Sequence, residues 1–114
     1  EVFKYIKKFR FSMLADVYKT KENLEIYKWY VEQLTNRFVL LPNGEITKQN
    51  RGNPSGQIST TMDNNMVNTF LQAFEFAYLH PDLPIGMLKD VWSKTDTIVY
   101  GDDRLSSWPY IPEI

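Results

Sequence analysis

"TDTIVYGDDRLSS", residues 95–107, decides how this chain is read. Thr97, Ile98, Val99 and Tyr100 are four residues of high strand propensity, and the Gly101-Asp102 pair after them suits a two-residue hairpin turn. The stretch therefore predicts strand, tight turn, strand, with Asp102 and Asp103 at the tip. Adjacent carboxylates on an exposed turn repel each other, and a cation or a basic partner relieves that repulsion. Hard oxygen ligands of this kind suit Mg²⁺, which binds through one or two carboxylates together with substrate phosphates. Alone, a Gly-Asp-Asp turn is equally the sequence of a solvated hairpin tip, so its meaning depends on what precedes it.

What precedes it is "SGQISTTMDNN", residues 55–65, at the mouth of a long helical stretch. Met62, Met66, Phe70, Phe74 and Ala77 recur at near-helical spacing through "TTMDNNMVNTFLQAFEFAYL", the strongest helix signal in the chain. That helix is expected to end near His80, before Pro81. Thr60 and Asn64 stand one turn apart on one helical face, and such a face can hydrogen-bond a ribose. N-terminal capping by Ser59 or Thr60 accounts for one of these polar groups and leaves the others unexplained.

Working outward, "EVFKYIKKFRFSMLADVY" places Val2, Ile6, Phe9 and Met13 at helical spacing, with Lys4, Lys7, Lys8 and Arg10 expected on a solvated basic face. Thr20 is a suitable N-cap for a second helix. Its inward stripe would be Leu24, Tyr27, Val31 and Leu34, with Glu22 and Glu25 near the positive end of the dipole. "FVLLPNGEIT" shows two short strand-like runs around Pro42-Asn43-Gly44. "KQNRGNPSGQ" has the glycine and proline density of a loop, and "PDLPIGMLKDVW" reads as a loop with a short helix. "GNPSGQ" lacks the Gly-Lys-Ser/Thr ending of a phosphate-binding P-loop. His80, without a nearby ligand cluster in sequence, fits helix termination or the surface.

The 114 residues suffice for one compact domain that buries roughly two thirds of its unfolded surface. A mean hydropathy of -0.40 and the lack of any long apolar run argue against a spanning helix. With no cysteine and one histidine, disulfides, thiolate zinc sites and Cys-His nucleophiles are excluded. The net charge of -1 hides an asymmetry: residues 1–53 hold ten Lys/Arg against six Asp/Glu, and residues 54–114 hold three against eight. A basic half joined to an acidic half suits a polyanion bound beside a cation. Glu1 opens without a methionine directly into helical periodicity and "WPYIPEI" closes without a polar tail, so a piece of something longer is expected.

Together, "RGNPSGQISTTMDNN" and "YGDDRLSS" resemble motifs B and C of viral RNA-dependent RNA polymerases, most closely those of astroviruses. The resemblance spans essentially the whole chain, with motif B at about 51–79 and motif C at about 96–107. It implies an α+β fold: part of the polymerase palm with adjoining fingers, in which an antiparallel hairpin carrying the Gly-Asp-Asp turn packs against long helices. It implies that Asp102 is the principal metal ligand, with Asp103 assisting. Thr60 and Asn64 would help recognise the 2′-hydroxyl, which both donates and accepts. Ser55 and Gly56 would form the mobile loop lining the template, Gly56 moving between backbone regions without a Cβ penalty. Tyr100 and Gly101 would support the turn, and Arg104 would form a surface ion pair in preference to touching the primer.

The activity implied is template-directed addition of ribonucleotides to an RNA 3′ end. Two Mg²⁺ ions, replaceable by Mn²⁺, would activate the primer hydroxyl and steady the leaving pyrophosphate. Implied partners are the RNA template and primer or product strand, nucleoside triphosphates, the remaining polymerase (fingers, thumb and motif A) and other viral replication proteins. The implied location is the host cytoplasm, at membrane-associated replication complexes anchored by other viral segments. The family's Asp-x4-Asp of motif A is not in this chain and is expected before Glu1, with motif D after Ile114, so the chain alone is expected to be inactive. The alternative is a non-catalytic RNA-binding module with a palm-like core, whose affinity would fall steeply with salt and ignore Mg²⁺.

Overall fold

The computed structural model describes residues 1–109; residues 110–114, within the closing "WPYIPEI", lie outside the described residues. Its elements are helix α1 (Val2–Ser12), a short 3-10 turn (Asp16–Tyr18), α2 (Lys21–Thr35), strands β1 (Arg37–Leu40) and β2 (Ile46–Gln49), α3 (Thr60–Leu79), α4 (Ile85–Trp92), β3 (Asp96–Tyr100) and β4 (Asp103–Ser107). The class is α+β, with two antiparallel hairpins, β1-β2 and β3-β4. The chain divides into two compact units, Glu1–Thr60 and the part from Thr61 onward.

In the first unit, the Thr20 hydroxyl accepts from the Asn23 amide at 3.1 Å and caps α2 as expected. The hairpin between α2 and the loop turns where Gly44 adopts a φ of 87°, the left-handed value that glycine accepts at no steric cost. Packing of α1 on α2 centres on Ile6 and on the rings of Phe11, Tyr27 and Tyr30, with centroids 5.2 and 6.0 Å apart in succession. Lys7 departs from the expected solvated basic face, being only 1% exposed. Its ammonium donates to the Ser59 hydroxyl at 3.0 Å and lies 5.3 and 5.1 Å from the rings of Phe3 and Tyr30. A buried cation needs such partners to offset its lost hydration.

In the second unit, α3 runs to Leu79 as its periodicity predicts. His80 ends it, donating from Nδ1 to the Phe76 carbonyl at 2.7 Å, with Pro81 following. Phe76, 2% exposed, is the apolar centre, with its ring centroid 5.5 Å from those of both Trp92 on α4 and Trp108 after β4. Apolar periodicity misjudges the packed face of α3. Met62 and Phe74 of the expected stripe are 58% and 60% exposed, whereas Asp63, Gln72 and Phe76 are buried. The face that meets the β3-β4 hairpin is polar, because the hairpin offers it backbone groups and hydroxyls to bond.

Candidate active site

Strand β3 pairs with β4 from Asp96↔Ser107 to Tyr100↔Asp103, so the connection is the two-residue turn Gly101-Asp102. Gly101 has a φ of 65° and, among the described residues, no non-glycine residue has a positive φ, which gives the glycine-first, type II′ form of a hairpin turn. A Cβ added at Gly101 would meet nothing within 4 Å. The backbone angle, not space, requires glycine there. Asp102 and Asp103 are both exposed, and among the described residues their carboxylates make no hydrogen bond or ion pair.

The turn is held from the helix side. Asn65 Oδ1 accepts from the Gly101 amide at 2.6 Å, while Asn68 Nδ2 donates to the carbonyls of Gly101 at 3.2 Å and Asp102 at 3.0 Å. One turn further, Gln72 Nε2 donates to Asn68 Oδ1 at 3.3 Å. Gln72 Oε1 accepts from the hydroxyls of Thr97 on β3 and Ser106 on β4, both at 2.9 Å. Arg104 closes the series with an ion pair to Glu75 at 2.6 Å, the ion-pair role expected of it. The sequence reading missed these helix residues. The signal was present: Asn65, Asn68, Gln72 and Glu75 recur at intervals of three and four, a polar stripe that runs on into the apolar C-terminal half of the helix.

Beside the turn lies an open hollow of about 390 Å³ lined by Asn64, Val67, Asn68, Leu71, Asp102 and Arg104. It brings together two of the residues singled out in sequence, Asn64 and Asp102. Asp103 pairs with Tyr100, on the hairpin face opposite to Arg104, and Tyr100 is 74% exposed.

Ser55, Gly56 and Thr60 belong to the first unit. Ser55 and Gly56 are exposed in a turn, Gly56 with a φ of 79°. The Thr60 hydroxyl donates to the carbonyls of Pro54 at 2.7 Å and Gln57 at 3.0 Å, which commits its proton to closing the loop and leaves its oxygen as an acceptor. Gln57 organises that loop, its Oε1 accepting from the Ser59 amide at 3.0 Å and from the Tyr30 hydroxyl at 3.1 Å.

No group of three or more His, Cys, Asp or Glu that could hold a metal occurs among the described residues. Asp102 on the turn and Asp103 at the start of β4 are exposed carboxylates, hard oxygen donors of the type that Mg²⁺ takes together with phosphates and water.

The sequence profile of viral RNA-dependent RNA polymerases matches residues 2–111. The chain belongs to this family. Among relatives of this viral RNA-dependent RNA polymerase segment, the non-structural polyprotein 1AB of Ovine astrovirus 1 is 56% identical over 112 residues, 98% of the chain. That of Mink astrovirus 1 is 53% identical over the same share. The polyprotein of Turkey astrovirus 2 is 44% identical over 110 residues, 93% of the chain. The polymerase segment spans about 8% of the length of the first two relatives. No solved structure matches it.

Proposed function

We propose that this segment supplies the metal-holding turn and the sugar-reading helix face of an RNA-directed RNA polymerase that copies a viral genome. The observation that carries the reading is the shared hollow of Asn64 and Asp102. One wall offers a carboxylate held on a rigid turn, and the other an amide able both to donate to and to accept from a ribose hydroxyl. Asp102 would hold Mg²⁺ or Mn²⁺, with Asp103 assisting from the start of β4. Bound there, the metal pair would supply charge to activate the primer hydroxyl and to steady pyrophosphate. The protein's own part is position: the turn fixes where the carboxylates stand, and Asn64 aligns the incoming sugar.

Ser55 and Gly56, exposed on their turn, suit the loop that lines the template, and Thr60 contributes an acceptor oxygen. The segment is assigned to the palm and adjoining fingers, motif B at about 51–79 and motif C at about 96–107. RNA, nucleoside triphosphates and the remainder of the polymerase are its partners in this reading. With two carboxylates at the turn and no larger ligand group among the described residues, the 114-residue chain alone is expected not to extend RNA. No helix among the described residues is long and apolar enough to cross a membrane. In this reading the polymerase works in the host cytoplasm at replication membranes, attached through other viral segments.

Primer extension by the full polymerase tests the reading. Asp102→Asn keeps the shape of the side chain and removes its charge, so extension should fall below detection in Mg²⁺. Substantial extension by that variant would remove Asp102 from the site.

A further inference from the structure

A tight turn bearing two adjacent carboxylates is pulled apart by their repulsion, and a hairpin tip has few contacts to resist it. In this chain the resistance comes from α3. Asn65, Asn68 and Gln72 lie on one face of the helix, and every polar atom of the Asn68 and Gln72 amides that contacts the hairpin has a defined polarity. Asn68 must donate, because its targets at the turn are carbonyls; Asn65 must accept, because its target is the Gly101 amide. Gln72, fully buried, reaches Asn68 with its amide nitrogen and so aims the Asn68 donors at the turn. Its oxygen meanwhile gathers one hydroxyl from each strand. The carboxylates of Asp102 and Asp103 are left uncommitted among the described residues. At the turn itself the restraint from Asn65 and Asn68 falls on backbone.

We propose that Asn65, Asn68 and Gln72 are positioning residues, a polar ladder on α3 that sets where the Asp102 carboxylate stands for metal binding. The proposal rests on the polymerase reading given above. Asn65 and Asn68 act on the backbone of the turn, Asn68 from the wall of the hollow that it shares with Asp102, and Gln72 acts through Asn68 and the strand hydroxyls. Its opposed polarities make it testable, because aspartate can replace an accepting asparagine and cannot replace a donating one.

The test uses the full polymerase and titrates Mn²⁺ by electron paramagnetic resonance beside single-turnover extension and thermal unfolding. Residues that orient metal ligands change metal affinity or activity by about 10- to 100-fold when removed, and Asn68→Ala should weaken Mn²⁺ binding and extension within that range. Asn65→Asp should bind Mn²⁺ at least as tightly as the parent, and Asn68→Asp at least about tenfold more weakly. Both variants add the same charge beside the turn, so the contrast isolates polarity.

Unchanged Mn²⁺ affinity and extension in Asn68→Ala, or equal effects of the two aspartates, would overturn the ladder. If Asn68→Ala fails to fold, hydrogen exchange of the parent protein decides. The Gly101 amide should be protected despite its place at a hairpin tip, and free exchange there would overturn the proposal. Asp102→Asn, run alongside, reports on the polymerase reading separately: if it extends RNA normally, the site assignment fails whatever the ladder does.

Discussion

Gly101→Ala isolates one physical term at the centre of the site. The added Cβ meets no atom within 4 Å, so the substitution introduces no clash, and its whole effect comes from the φ of 65°. Holding a non-glycine residue in such a sparsely populated region raises the energy by about 1–3 kcal/mol. At about 1.4 kcal/mol per factor of ten, that strain is worth about 5- to 150-fold in an equilibrium or a rate. It must emerge in one of two places. If α3 holds the turn fixed, the folded polymerase loses stability; if the turn relaxes, Asp102 moves and extension slows. Thermal unfolding and single-turnover primer extension measured on the same variant separate the two. Asparagine is expected to do no better than alanine, because the first central position of a type II′ turn demands glycine. A variant whose unfolding temperature and extension rate both match the parent would refute the strain argument and the turn assignment with it.

Asn64→Ala should relax the preference for ribonucleotides over deoxyribonucleotides by about two- to tenfold, the worth of one hydrogen bond; competition assays with matched nucleotides measure it, and unchanged selectivity would refute sugar reading by Asn64. Phe76→Ala removes the ring that packs on Trp92 and Trp108, and should lower local stability by about 3–5 kcal/mol. Hydrogen exchange of α3 amides should then accelerate by about 100-fold or more, and little change would show that the aromatic cluster is not the centre of its unit.

The β3-β4 hairpin was legible in sequence because its information is local: a β-prone run, then Gly-Asp. The long helix was legible from its period and its stop at His80-Pro81. Its packed face was not, because hydropathy assumes that a helix buries apolar atoms. Here the neighbouring surface is a row of turn amides, carbonyls and strand hydroxyls, so Asn65, Asn68 and Gln72 are the complementary choice and Phe74 is left outward. Lys7 escaped for a related reason. Its partner hydroxyl, Ser59, lies 52 residues away, and no local pattern marks a lysine that will be buried. Asn64 and Asp102 were singled out by helical spacing and turn chemistry and given their roles by resemblance to a polymerase family; that they line one hollow is a property of the fold.

The central claim is that Asp102 holds a catalytic metal, and anomalous diffraction from crystals of the full polymerase grown with Mn²⁺ tests it most directly. An anomalous peak is expected at about 2.0–2.2 Å from an Asp102 carboxylate oxygen, near the octahedral Mg²⁺ distance, and it should be lost in Asp102→Asn. Mn²⁺ bound elsewhere in an active polymerase, with the Asp102 carboxylate uncoordinated, would contradict it.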